Sequence, residues 1–236
     1  MKVSRRAFVG AATAATVFAQ TGWAGEKKRK EGKAIPLFNG KNLDGWYISL
    51  RDPDKKQRAK NEDPEGVFKV EDKLIHVLGK EFGYIATLAE YDDFHLTLEY
   101  KWGEQKFAPR NKPDSKRDSG ILYRFPDGEE DRVWPKSIEC QIQEGDTGDF
   151  WLVNGTTIVA GGETQTRFFK KTKDAEKPND QWNKVEVIAD GGRCVHIVNG
   201  VTVNEGTEAS VAKGRILIQS EGAEVFYRAI ELRPIA

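Results

Sequence analysis

From Phe68 onward, apolar and polar residues alternate at every second position in short runs separated by turn residues. Successive side chains of a strand point to opposite faces, so this pattern describes half-buried strands. Apolar residues at helical spacing are nearly absent. The clearest stretch is Lys184 to Asn204, where Val185-Glu186-Val187-Ile188-Ala189, Cys194 to Val198 and Val201-Thr202-Val203 are separated by Asp190-Gly191-Gly192 and Asn199-Gly200. Asn-Gly and Gly-Gly turns match the twist of hairpin strands, which makes this stretch a meander. Further strands are predicted at Phe68 to Val77, Phe94 to Trp102, Gly120 to Phe125, Ser137 to Gln143, Arg215 to Gln219 and Phe226 to Leu232. Strands at this spacing predict an all-β domain, a two-sheet sandwich of the jelly-roll kind. Asp52 to Pro64 and Lys106 to Arg117 interrupt the spacing with charge and proline. Loops of that length are commonly functional or disordered, and both are read as rim loops beside a cleft, with disorder as the alternative.

The first 24 residues read as an address. Lys2, Arg5 and Arg6 precede a short, weakly apolar run from Phe8 to Phe18, and small residues follow at Gly22 and Ala24. The run is too short for a membrane span, which needs about 20 apolar residues. Ser4-Arg5-Arg6-Ala7-Phe8 has the form of a twin-arginine signal, so residues 1–24 are expected to be a signal peptide and the protein to be exported, periplasmic or secreted. Residues 25–33 are a charged leader expected to be disordered, and 34–236 form one domain with no sign of a second and no membrane span.

The sequence has 37 basic and 37 acidic residues, and removing Lys2, Arg5 and Arg6 leaves a formal charge of −3. This gives no support for nucleic acid as a partner, which would demand clustered excess Lys and Arg. Cys140 and Cys194 each lie in a predicted strand and are expected to be buried free thiols, with a disulfide as the alternative that export allows. His76, His95 and His196 lack zinc-ligand spacing.

The densest polar constellation is Ser137-Ile138-Glu139-Cys140-Gln141-Ile142-Gln143-Glu144. Alternation sends Ile138, Cys140 and Ile142 to one face and Glu139, Gln141 and Gln143 to the other. With Trp134 and Trp151 flanking it, the polar face is expected to line a carbohydrate cleft, the alternative being a solvated face. Asp118, Gly120, Leu122 and Arg124 share parity, so Asp118 and Arg124 are predicted on one face. Arg124 can hold a developing oxyanion, or it can form a structural ion pair with Glu139 or Glu99. Glu99 alternates with Leu98 and Tyr100 and is either a further cleft residue or part of a solvated face. Gln219 and Glu221 are candidate ligand contacts on a later strand, although a turn also explains Glu221-Gly222.

At these residues the sequence resembles the 3-keto-disaccharide hydrolase family. The similarity is carried by Leu37-Phe38-Asn39-Gly40-Lys41-Asn42-Leu43-Asp44-Gly45-Trp46, Tyr91-Asp92-Asp93-Phe94, Asp118-Ser119-Gly120-Ile121, Ile138-Glu139-Cys140-Gln141-Ile142, Trp182-Asn183 with Asn199-Gly200, and Gln219 to Pro234. Asp118 stands where many members have Asn, and Glu221 where many have His. The resemblance implies a concanavalin A-like sandwich of two curved antiparallel sheets. It also implies an enzyme acting on an oxidised disaccharide, oligosaccharide or glycoside whose C3 carries a ketone, with a separate sugar 3-dehydrogenase supplying that substrate. The ketone acidifies the hydrogen on C2, so a carboxylate can abstract it, the leaving group departs from C1 and water adds. On this reading Glu139 is the base, Arg124 stabilises the enolate, and Asp118 or Glu221 is a second acid or base. Gln141, Gln143, Gln219, Glu99, Trp134 and Trp151 contact the sugar. A divalent metal ion is the alternative enolate stabiliser. Two competing readings are a retaining glycoside hydrolase using Glu139 and Glu144, which needs carboxyl groups about 5 Å apart, and a non-catalytic carbohydrate-binding module.

Overall fold

The computed structural model describes residues 29–236, all of it strands and connections. In chain order the strands are β1 (Ile35–Pro36), β2 (Trp46–Arg51), β3 (Phe68–Glu71), β4 (Leu74–Val77), β5 (Phe82–Thr87), β6 (Phe94–Lys106), β7 (Asp118–Phe125), β8 (Ser137–Gln143), β9 (Phe150–Val153), β10 (Ile158–Ala160), β11 (Glu163–Gln165), β12 (Phe168–Phe169), β13 (Asn183–Asp190), β14 (Arg193–Val198), β15 (Val201–Gly206), β16 (Arg215–Ser220) and β17 (Ala223–Pro234). One antiparallel sheet runs β15-β14-β13-β6-β17-β4-β3, with β1 also paired to β17. The other runs β12-β9-β8-β7-β16-β5-β2, and β10 and β11 form a separate ribbon. The meander is present as β13, β14 and β15. Strands β1, β2, β5 and β9 to β12 lie outside the predicted set, and the strand expected at Phe68 to Val77 is the antiparallel pair β3 and β4.

Alternation builds the core. Phe94, Leu96, Leu98, Tyr100 and Trp102 turn inward from β6, while Ile121 and Tyr123 from β7 and Ile138, Cys140 and Ile142 from β8 turn inward from the facing sheet. Full burial of each such aliphatic side chain contributes about 1.5–3 kcal/mol. Cys140 and Cys194 are buried and free. A smaller apolar cluster of Tyr47, Tyr84, Ala86, Leu122, Phe125 and Leu217 lies on the opposite, outer face of the seven-stranded sheet. That cluster occupies half of this face and leaves the other half to polar residues.

The signal peptide and residues 25–28 of the leader fall outside the described residues. From residue 29 onward the expectation of disorder is corrected. Arg29 reaches Asp93 and Asp190 at 2.5 and 2.6 Å, the Lys30 amide donates to Ala236 O and the Gly32 amide to Pro234 O. Glu31 hydrogen-bonds His95 at 2.8 Å. The side chains of Arg29 and Glu31 are instead matched to partners at Asp93, Asp190 and His95, while the backbone pairs with the C-terminal segment. Among the described residues, no helix is long and apolar enough to cross a membrane.

His196 lies in the core, hydrogen-bonded to Tyr123 OH at 3.0 Å and to Gly148 O at 2.9 Å, with its ring 4.1 Å from that of Phe150. Burial lowers its pKa to about 4, although the Gly148 carbonyl opposes the shift. The unfolded chain therefore takes up a proton near pH 6.5 that the folded chain refuses until about pH 4. The His196 contribution to folding free energy is expected to be full above pH 6.5 and to fall by about 3 kcal/mol as pH drops to 4. It is read as a difference, because other groups titrate in the same window: between pH 6.5 and 4, denaturant midpoints of the wild type should fall relative to those of His196→Gln, which cannot titrate there.

Candidate active site

The register of β7, β8 and β16 assembles the polar half of the outer face. Asp118 pairs with Gln143, Gly120 with Gln141 and Leu122 with Glu139. On the other side of β7, Leu217 pairs with Leu122 and Ile218 with Ile121, so the same register brings Gln219 beside Gly120 and Glu221 beside Asp118. Gly120 is the floor. A methyl group there would collide with the Glu139 carboxyl and stand 2.8 Å from Gln219 Oε1. The cleft above it has a volume of about 500 Å³, within the range of small-molecule sites.

Its walls come from loops and edge strands. Trp134 stands on the connection between β7 and β8 and donates from Nε1 to Glu221 Oε2 at 3.4 Å. That connection is anchored by Asp131, which accepts from Tyr47 OH at 2.7 Å and Tyr84 OH at 2.6 Å and pairs with Lys60 at 3.0 Å. Trp134 is held edge-on to Phe82, with the Arg51 guanidinium 5.6 Å from its ring centre. On the opposite side Trp151 pairs with Glu139 across β8 and β9 and packs against Phe168 at 5.0 Å. Asn154 and Arg167 continue that wall.

At the third side the loop of residues 107–117 delivers Arg110. Its Nη2 donates to Asp118 and, at 3.4 Å, to Glu221. Gly222, at φ +86°, leaves room for this: a Cβ would lie 2.7 Å from Arg110 Cγ. Gln143 also donates to Asp118, at 2.7 Å. Several buried polar atoms here have no partner among the described residues: Arg110 Nε, Asp118 Oδ1, Gln141 Oε1 and both amide atoms of Gln219. Unpaired buried polar groups are costly, so their concentration at one cleft marks a surface built to meet a polar ligand.

Burial controls the acids. Desolvation raises the Glu139 pKa well above the usual carboxylate range, and the nearby Glu221 and Asp118 add to the rise. Asp118 is also raised, by burial first and by Glu221 second, against the opposing pull of Arg110 and Gln143. Glu221 follows, with burial outweighing Arg110 and the Trp134 hydrogen bond. Burial thus raises the proton affinity of all three carboxyl groups, and Arg110 pairs with two of them, Asp118 and Glu221. A divalent ion does not fit these residues. Among the described residues no group of three or more His, Cys, Asp or Glu converges in a way that could hold one, and Arg110 already bridges Asp118 and Glu221.

Asp118, Trp134, Glu139, Gln141, Gln143, Trp151 and Glu221 therefore line one cleft, with Gln219 in its floor. Two predicted residues lie elsewhere. Arg124 adopts φ +59° at a bulge in the β7–β16 pairing. The extra residue reverses the parity, so Phe125 rather than Arg124 joins Leu122 on the outer face. The Arg124 side chain is fully buried, donating to Val211 O at 3.0 Å and Asp92 O at 3.1 Å and pairing with Asp93 at 3.4 Å. Of the two readings of Arg124, the structural ion pair is the one found, with Asp93 in place of Glu139 or Glu99. Glu99 belongs to the other sheet and pairs with Arg228 on its outer surface at 2.6 Å. Arg110, Asn154 and Arg167 were not singled out by sequence. Of these only Arg110 carried a signal, because its loop reads as a cleft rim.

Residues 33–233 match the 3-keto-alpha-glucoside-1,2-lyase-like domain family. No curated protein matches the sequence. Among solved structures, a proposed glycosyl hydrolase from Parabacteroides distasonis is 20% identical, with 86% of this chain and 100% of that chain covered and a TM-score of 0.57. A Bacillus subtilis protein of galectin-like fold is 12% identical, with 88% and 99% covered and a TM-score of 0.56. The β-glucanase of Bacillus licheniformis is 10% identical, with 87% and 99% covered and a TM-score of 0.50. These likenesses establish the fold, a concanavalin A-like jelly-roll sandwich.

Two variants test the site physically. Because Glu139 holds its proton more tightly when folded than unfolded, it stabilises the fold below the unfolded carboxylate pKa. That contribution is lost as pH rises toward its raised folded value. Glu139→Gln is expected to match the wild type in thermal midpoint near pH 4 and to exceed it at pH 8. Gly120→Ala should crowd Glu139 and Gln219, lowering kcat/KM by about tenfold or more with modest loss of stability.

Proposed function

The chain belongs to the 3-keto-alpha-glucoside-1,2-lyase-like family, and on that premise we propose that it cleaves the glycosidic bond of 3-keto-glycosides by elimination and hydration. Family membership makes it a carbohydrate-active domain. Elimination chemistry is supported by the placement of Glu139, Asp118, Glu221 and Arg110 over the Gly120 floor, which supplies a base, an acid and a fixed cation within one desolvated cleft.

In this reading the ionised form of Glu139 takes the proton from C2 of the sugar. The C2–H electron pair moves toward C3 and the ketone oxygen becomes an enolate. Arg110 stabilises that charge, its Nε being a donor without a partner in the chain. Reformation of the C3 carbonyl creates a C1=C2 double bond and expels the leaving group, whose oxygen takes a proton from Asp118 or Glu221. Water then adds to C1 and a proton returns to C2. Gln141 and Gln219 offer unpaired amide atoms to sugar hydroxyls. Raised proton affinity suits the acids, because a general acid must be protonated at working pH.

The retaining-hydrolase reading has less support. Glu144 accepts from Arg117 Nη1 at 3.2 Å and Asn179 at 2.8 Å and does not line the cleft with Glu139. A pure binding module would not need three buried carboxyl groups in the floor and wall of its site. We further propose that the protein works after export, a reading supported by the basic, small-residue N-terminus. A separate 3-dehydrogenase would supply the keto-sugar.

Incubation with a disaccharide and with its 3-keto derivative tests the proposal. Cleavage is expected for the keto-sugar alone. Glu139→Gln should abolish it, and Arg110→Met should reduce kcat by about 10²–10³-fold. Cleavage of the unoxidised sugar, or full activity of Glu139→Gln, would refute it.

A further inference from the structure

Every arginine among the described residues has a carboxylate partner except two, and both border the cleft. Arg29, Arg58, Arg110, Arg117 and Arg124 are paired, as are Arg132, Arg193, Arg215, Arg228 and Arg233. Arg51 and Arg167 are not. The Arg51 guanidinium lies over the rings of Phe82 and Trp134 at 5.8 and 5.6 Å, where aromatic faces attract its charge. Arg167 has neither a carboxylate nor an aromatic partner among the described residues. It is exposed, stands between β11 and β12, and lines the cleft beside Trp151 and Asn154.

Its backbone is fixed even though its charge is free. The Arg167 carbonyl accepts from the Leu152 amide at 2.9 Å, and the next residue, Phe168, pairs in register with Trp151. Trp151 in turn sits opposite Glu139. The reacting C2 and C3 of the sugar must lie among Glu139, Arg110, Asp118 and Glu221, which leaves the Trp151 half of the cleft for the group attached to C1. A fixed indole with an uncommitted guanidinium at its side suits a ring whose face stacks on the tryptophan and whose edge carries a negative charge. Asp118 and Glu221 lie at the other end of the cleft, where Arg110 pairs with both, and burial raises the proton affinity of all three carboxyl groups, including Glu139 beside Trp151, so they oppose an anion less than their number suggests.

We propose that Trp151 and Arg167 form the leaving-group subsite and that it selects leaving groups whose ring carries an anionic substituent such as a carboxylate. The identity of the cleaved bond rests on the function proposed above, whereas binding of a leaving group by itself does not. The test therefore starts with binding. The mature chain is titrated with 4-hydroxybenzoate and with its methyl ester, two probes of one ring that differ in charge, by calorimetry in the wild type, Arg167→Gln and Arg167→Lys. The wild type is expected to bind the carboxylate about fivefold or more tightly than the ester. The preference should shrink at about 0.5 M salt, disappear in Arg167→Gln and return in part in Arg167→Lys. Equal affinity for both probes, no binding of either, or a preference that survives in Arg167→Gln would overturn the proposal. The 3-keto-glucosides of the same two phenols are then compared by kcat/KM. Failure to cleave either, with the binding preference intact, would count against the elimination chemistry and leave the subsite standing.

Discussion

The site depends on one pairing register, that of β7 with β8. Asp118 opposite Gln143, Gly120 opposite Gln141 and Leu122 opposite Glu139 put every second residue of both strands on the outer face. A slip of β8 by one residue would bury Glu139 and Gln141 between the sheets and turn Ile138 and Cys140 to the outer face, beside Asp118 and Gly120. The core enforces the register from behind. Ile121, Tyr123, Ile138 and Ile142 are fully buried between the sheets, and their transfer to water would cost several kcal/mol in sum. Ser119 adds a polar lock by hydrogen-bonding Tyr227 of the facing sheet at 2.7 Å. The packing that stabilises the sandwich is thus the same packing that positions the candidate chemistry.

Burial of the acids is the second constraint. Arg110 would by simple Coulomb attraction hold its neighbours ionised, yet desolvation is the largest influence on Glu139, Asp118 and Glu221 alike, and all three are raised. Of the three, Arg110 touches only Asp118 and Glu221, and its pull on them is outweighed by the cost of holding charge in a dry cleft. Natural proteins place such destabilising groups where function needs them, and the unpaired amides of Gln141 and Gln219 belong to the same class. The Phe125, Tyr47 and Tyr84 cluster, closed by Asp131, confines this polar surface to one half of the sheet and fixes Trp134 at its border.

Much of this was legible in the sequence because strand alternation is a local rule. Ser137 to Gln143 was predicted with its observed bounds, and the shared face of Glu139, Gln141 and Gln143 followed. The same rule failed at Arg124, since a bulge depends on the strand paired alongside and leaves no mark in an alternating run. Glu99 failed for another reason: alternation assigns a face but cannot say to which sheet the strand belongs. Arg110 and Arg167 lie on connections whose paths are set by distant contacts, such as the space left at Gly222. The charged segment at residues 29–33 looked solvated because its partners, Asp93, Asp190 and the C-terminal strand, lie more than 60 residues away.

Hydrogen isotopes report directly on whether the bond breaks by removal of the C2 proton. A 3-keto-disaccharide is cleaved in D₂O and the released keto-sugar is examined at the earliest turnovers by NMR or mass spectrometry, with unreacted substrate as the control for background exchange. Elimination followed by hydration returns a solvent deuteron to C2, so each product molecule should carry one deuterium there while the unreacted substrate carries less. Product that keeps protium at C2, together with a C2-deuterated substrate cleaved as fast as the protiated one, would show that the bond breaks without this proton transfer.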